Sequence, residues 1–179
     1  PEVAAGIEKI WAEREMWLSN LYDRLSQTFG HLDAARANLL ARHAPDGTDE
    51  IIAIDWQLSG IGAIGQELAP LIVATLVFGN VEIDKIIELE KVAIEGYLAG
   101  LGDAGWNGDV RLAKYAYIAL TTVSWTLRRF SEMFVPVLVD EKQHAVWEQL
   151  LRRPMSEIVE LSSALLHHMV RLADEGRNL

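Results

Sequence analysis

Two short stretches of this chain hold side chains whose types and spacing could do chemistry. The first is Gly30-His31-Leu32-Asp33-Ala34-Ala35-Arg36-Ala37-Asn38-Leu39-Leu40, in which His-x-Asp is followed, five residues after the Asp, by an Asn that opens an apolar run. The second is Ile51-Ile52-Ala53-Ile54-Asp55-Trp56, an apolar run that ends in an acid. Phosphoryl transfer asks little covalent work of a protein: it needs a base near the acceptor hydroxyl and hard oxygen ligands that hold Mg²⁺ against the phosphates. On that chemistry Asp33 is the expected base and orienter, and Asn38 and Asp55 are the expected metal ligands. His31 is expected to pack beneath the loop and hold its backbone rather than to move a proton.

The elements around these stretches decide whether the side chains can meet. Between the two apolar runs lies Ala44-Pro45-Asp46-Gly47-Thr48-Asp49, whose Pro and Asp-Gly form turns, so 38–41 and 51–54 are expected to pair as a small β-hairpin. Antiparallel pairing returns the chain beside its starting point, which brings Asn38 and Asp55 to one end of the hairpin. Before the first stretch, Ile7, Ile10, Trp11, Trp17, Leu18, Leu21 and Leu25 repeat at helical spacing over residues 3–27, and the pattern breaks at Thr28-Phe29-Gly30. After the second comes a glycine-rich stretch, Gly60, Gly62 and Gly65, and then an apolar helix over about 67–78. The rest reads as helix: a stripe from Ile83 to Leu101 ended by Gly102 and Gly105, a helix over 110–132 capped by Asp109 and stopped by Pro136, a shorter one around Trp147 closed by Pro154, and a last one over 155–174.

The spacing of the first stretch is that of a kinase catalytic loop, and the second falls where kinases place a metal-binding Asp-Phe-Gly. More specifically, the chain resembles the aminoglycoside phosphotransferase and choline kinase family, whose members carry His-Gly-Asp-x-x-x-x-Asn-x-Leu, then Ile-Asp-Trp, then Gly-Asp-Pro-x-x-Asp-Leu-Ala. Here these read His31-Leu32-Asp33 to Asn38-Leu39-Leu40, then Ile54-Asp55-Trp56, then Gly62-Ala63-Ile64-Gly65-Gln66-Glu67-Leu68-Ala69, in the same order over about 28–70. The resemblance implies an ATP-dependent transfer of the γ-phosphate to a hydroxyl of a small molecule, such as an aminoglycoside or another amino alcohol or sugar. Its co-substrate would be ATP with Mg²⁺, its catalytic residue Asp33, its metal ligands Asn38 and Asp55, and its supporting residues His31, Arg36 and Glu67. The implied fold is mainly α with a small β-hairpin, the C-terminal lobe of a protein-kinase-like enzyme. The whole of 1–179 is then one domain, with loop, hairpin and metal-binding segment in 28–70 and a helical, acceptor-binding subdomain in 80–179.

Some positions depart from the family pattern. Leu32 stands for a Gly, Ala63 and Ile64 stand for Asp-Pro, and Glu67 stands for the Asp that braces the loop, one methylene longer. The family's β-rich N-terminal lobe, with its adenine pocket and Lys-Glu pair, has no counterpart in the roughly thirty residues before His31. The chain starts at Pro1, close to the start of an amphipathic pattern, which reads equally as a lobe of a longer polypeptide or as a processed or trimmed terminus; taken as it stands, it is expected to be inactive on its own.

Composition narrows the partners. The net charge of −10 repels phosphate backbones and anionic lipid, which argues against nucleic acid. The longest apolar run, Leu68 to Gly79, is about twelve residues against the roughly twenty needed to cross a bilayer, so no membrane span is expected. With no cysteine and no basic, then apolar, leader at the start, a cytoplasmic protein is expected.

Plainer readings stand beside these. Asp33 taken alone is a cap or turn residue, Asp55 a strand-ending turn acid, Arg36 a solvated Arg, and Trp56 a core residue. The pair Asp140 and His144, and His167-His168, lack a third metal ligand. The acidic residues over 82–95 read as a solvated helix face, or as a cleft wall favouring a cationic acceptor. Two other functions remain open: a kinase-like binding module without transfer, and a helical ligand-binding or dimerisation domain. The second predicts that Asp33, Asn38 and Asp55 point apart.

Overall fold

The computed structural model describes residues 2–179, except for the side chains of Arg129, Met133, Phe134, Pro136 and Leu138. It is mostly helical, with two small antiparallel sheets. The element that organises it is α2 (Leu68–Val77), the apolar helix of the sequence reading. Nine of its residues are buried, on all its faces, as expected of a helix with no polar stripe. Against it pack α3 (Ile86–Asp103) and α4 (Val110–Leu120), on which α1 (Glu2–Ser19) and α7 (Met155–Gly176) are layered in turn, and Trp17, Tyr117, Ile158, Leu165 and Met169 close one continuous core. Helices α5 (Phe130–Val139) and α6 (His144–Leu151) complete the chain.

The expected hairpin is present as β2 (Leu39–His43) and β3 (Asp49–Ala53), in register from Leu39 opposite Ala53 to His43 opposite Asp49. Its turn is built as Pro45-Asp46-Gly47 suggests, with Gly47 at φ +86° and the Asp46 carboxylate accepting from both the Thr48 amide and its hydroxyl. A second antiparallel pair was not expected. Gln27–Gly30 forms β1 and Gly60–Ala63 forms β4, with Gln27 opposite Ala63 and Gly30 opposite Gly60. The stretch read as a helix break and the stretch read as glycine-rich are thus each other's partners.

Two helices also differ from expectation. Helix α1 gives way to one π-helical turn over Asn20–Arg24. Between α4 and α5 the nine residues Thr121–Arg129 wind as a π-helix, and the helical path runs past position 136 to Val139 instead of stopping there. A further correction concerns the acidic face of 82–95, because Glu90 on α3 is only 8 % exposed. Its Oε1 accepts from the Tyr117 hydroxyl at 2.5 Å and from His168 Nε2 at 2.7 Å. Arg171 donates to His168 Nδ1, so the ring's own proton sits on Nε2, facing the carboxylate.

No helix among the described residues is long and apolar enough to cross a membrane.

Candidate functional site

The two sheets bracket the two polar stretches. β1 and β4 end together at Gly30 and Gly60, and β2 and β3 begin together at Leu39 and Ala53, so residues 31–38 and 54–59 run side by side between them. Ile54 is held from both sides. Its amide donates to the Asn38 carbonyl at 3.0 Å, and its carbonyl accepts from His31 Nε2 at 2.7 Å. Because His31 Nδ1 accepts from the Asp33 amide at 3.3 Å, the ring must carry its proton on Nε2. His31 is 6 % exposed and joins the residue ahead of Asp55 to the backbone of Asp33.

Asp33 and Asn38 meet directly. Asn38 Nδ2 donates to the Asp33 carbonyl at 2.9 Å and to Asp33 Oδ2 at 3.1 Å. The turn between them is closed by the Ala35 amide on the Asp33 carbonyl and the Asn38 amide on the Ala35 carbonyl. Two acceptors are left over: the other carboxylate oxygen of Asp33 and the amide oxygen of Asn38 make no hydrogen bond within the described residues. Asp55 follows Ile54 with φ +60° and ψ +59°, a left-handed conformation that costs a non-glycine residue about 1–2 kcal/mol. Such strain is held at functional sites more often than elsewhere. The carboxylate of Asp55 is exposed, at the same end of the hairpin as Asn38.

Leu32 is the second left-handed residue of the site, at φ +60°. Its side chain lies over β1 and β4 where Gly30, Gly60 and Gly62 present bare backbone; a Cβ built on Gly62 would come within 2.8 Å of Leu32 Cδ2. The glycine-rich stretch is therefore the floor beneath the Leu32 side chain. The Leu32 amide donates to Glu67 Oε1 at 2.8 Å, so the longer acid does reach the loop.

Trp56 is not a core residue: it is 49 % exposed, stacked on Phe29 with ring centroids 6.4 Å apart and tilted against His31 at 4.8 Å. Arg36 is exposed, at the start of the short 3-10 turn before β2.

Comparison with family models, with curated proteins and with solved structures finds no match to this chain. What the site can do is therefore read from its own atoms. Among the described residues no group of three His, Asp or Glu side chains is placed to hold a metal ion. Mg²⁺ does not require such a group, since it takes one or two protein oxygens and fills its octahedron with phosphate and water. The amide oxygen of Asn38 and the carboxylate of Asp55, at the same end of the hairpin, are two oxygen donors without a hydrogen bond among the described residues.

One feature of the site was beyond the reach of local spacing. Asp33 opens onto a cavity of about 260 Å³ whose other walls include Tyr22, Leu58, Leu120, Trp125 and Arg128. Tyr22 lies on the π-turn after α1, and Trp125 and Arg128 on the long π-helix. The only signal for it in the sequence is the aromatic and basic content of 120–128 in a segment that reads as plain helix.

Proposed function

We propose that this chain is the catalytic and acceptor-binding lobe of an ATP-dependent phosphotransferase that acts on a hydroxyl of a small molecule, with the C-terminal lobe architecture of the kinase-like enzymes it resembles. The observation that carries the reading is the hydrogen bond of Asn38 to Asp33, made beside the strand end that bears Asp55. It brings two of the three side chains together, which supports this reading against one in which all three point apart.

Asp33 has one carboxylate oxygen fixed by Asn38 and the other free, facing a cavity. That suits a group that orients an alcohol and takes its proton as the alcohol oxygen bonds to the γ-phosphorus and the bond from that phosphorus to the departing ADP oxygen breaks. The products are a phosphate monoester and ADP. Asn38 and Asp55 would hold Mg²⁺, whose charge offsets that of the phosphates when bound. His31 and Glu67 position the loop through its backbone.

The test is phosphate transfer from Mg²⁺-ATP to a panel of alcohols by the full-length protein and by its Asp33→Asn and Asp55→Ala variants. Loss of transfer by roughly a hundredfold or more in both, with the far-ultraviolet circular dichroism unchanged, is the expected result. Full turnover in either variant would remove that residue from the chemistry.

A further inference from the structure

The cavity beside Asp33 says something about the acceptor that the loop does not. It holds about 260 Å³, at the small end for ligand pockets, which run from about 300 to 1,000 Å³. That is room for a one-ring or short-chain molecule and too little for a multi-ring aminocyclitol. Its walls mix polar and apolar surface; the apolar part comes from Tyr22, Leu58, Leu120 and Trp125, which suits a flat or aliphatic body carrying polar groups.

Its charges are two. Among the described residues Asp33 is the single acid of the lining, and Arg128 is the single base. They do not pair with each other, and the Arg128 guanidinium makes no ion pair or side-chain hydrogen bond with any described residue. Arginines 42, 111, 153 and 177 are each tied to a carboxylate; Arg24, Arg36 and Arg152 are, like Arg128, without an ion pair among the described residues, and Arg128 differs from those three in lining the cavity beside Asp33. Both π-helical segments of the fold border this cavity, the first giving Tyr22 and the second giving Ser124, Trp125 and Arg128. π-helical turns are rare and are frequently found at functional sites.

The geometry points to a small hydroxylated carboxylic acid as the acceptor. Its carboxylate pairs with Arg128, its apolar body lies between Tyr22 and Trp125, and its hydroxyl faces Asp33. This rests on the phosphotransferase reading for the hydroxyl's role, but not for binding itself. It reverses the preference for a cation that the acidic stretch 82–95 suggested, since those residues do not line this cavity and Arg128 does.

The experiment separates the two levels. Calorimetric titration of the full chain, without nucleotide, uses three one-ring alcohols that differ only in charge: 4-(hydroxymethyl)benzoate, 4-(hydroxymethyl)benzamide and 4-(hydroxymethyl)benzylamine. The acid is expected to bind about tenfold or more tightly than the amine. Arg128→Gln should bring the acid down to the affinity of the amide, and Arg128→Lys should restore part of the difference. Asp33→Asn should keep acid binding, which marks a site whose chemistry can fail while its specificity stands. Equal or tighter binding of the amine, indifference of the acid to Arg128→Gln, or no binding of any of the three would overturn the proposal and leave the transfer reading to its own test. Because Arg128 is exposed and otherwise unpartnered, its replacement is not expected to move the melting temperature, and the variants can be compared as folded proteins.

Discussion

The amide of Leu32 donates to Glu67 Oε1 at 2.8 Å, across 35 residues of chain. This one bond ties the left-handed residue of the loop to the foot of α2, the buried helix of the core. It also explains Gly30: a Cβ there would stand 2.4 Å from the same Glu67 oxygen. The acid has been given its place by removing a side chain opposite it.

Glu67→Ala is therefore expected to leave the Leu32 amide without its partner and to free the loop that carries Asp33. The cost of a part-buried donor losing a charged acceptor is about 1–3 kcal/mol, which for a chain of this size lowers the melting temperature by roughly 2–12 °C. Glu67→Asp is shorter by a methylene and should lose most of the same bond unless α2 shifts. Calorimetric melting of the two variants checks both; an unchanged midpoint for Glu67→Ala would show that the loop does not depend on this anchor.

The floor beneath Leu32 gives a second prediction. At Gly62 a Cβ would lie 2.2 Å from Gln66 Nε2 and 2.8 Å from Leu32 Cδ2, and the Gln66 side chain is already engaged, its Oε1 accepting from the Ala63 amide at 3.1 Å. Gly62→Ala should cost about 1–3 kcal/mol by overpacking. Leu32→Ala in the same background removes one of the two obstacles and should recover part of the loss, so the two changes are expected to be non-additive in a double-mutant cycle. Strict additivity in urea unfolding would mean that leucine and glycine are not in contact.

The hairpin was legible because its information is local: Pro45-Asp46-Gly47 makes the turn, and the apolar runs on either side have nowhere to go but together. The same holds for the contacts among His31, Asp33 and Asn38, which lie within eight residues of one loop. β1 and β4 were not legible. Each is four residues long and carries glycine, which lowers strand preference, and the reasons for two of those glycines, Glu67 against Gly30 and Gln66 with Leu32 against Gly62, appear only once the strands are paired. The π-helix over Thr121–Arg129 keeps enough helical spacing to read as a continuation of α4. Tyr22, Trp125 and Arg128 meet Asp33 across the fold, and no periodicity in one segment can announce a wall built from three. Glu90 was misread for a related reason. It sits in an acidic run, and its partners Tyr117 and His168 are 27 and 78 residues away.

That buried trio sets the behaviour of the fold in alkali. Burial, and then the nearby Glu90 charge, push the Tyr117 hydroxyl well above the ordinary tyrosine value of 10.0. Below pH 10 the phenol is protonated in both folded and unfolded chains, and the contribution of its bond to Glu90 is fully present. As pH rises past 10 the unfolded chain releases a proton that the folded chain keeps, so stability falls with rising pH until the folded phenol itself ionises. Tyr117→Phe should be less stable than the parent at pH 8 by about 1–3 kcal/mol, having lost a bond to a charged acceptor, yet it should lose less between pH 10 and 11.5. The two curves of urea-unfolding free energy against pH are expected to converge over that window, and the tyrosine absorbance change that accompanies unfolding at pH 11 should be smaller in the variant. Curves that stay parallel would mean that Tyr117 ionises freely in the folded protein, and that the hydrogen bonds Glu90 receives from α4 and α7 do not seal the core as the geometry requires.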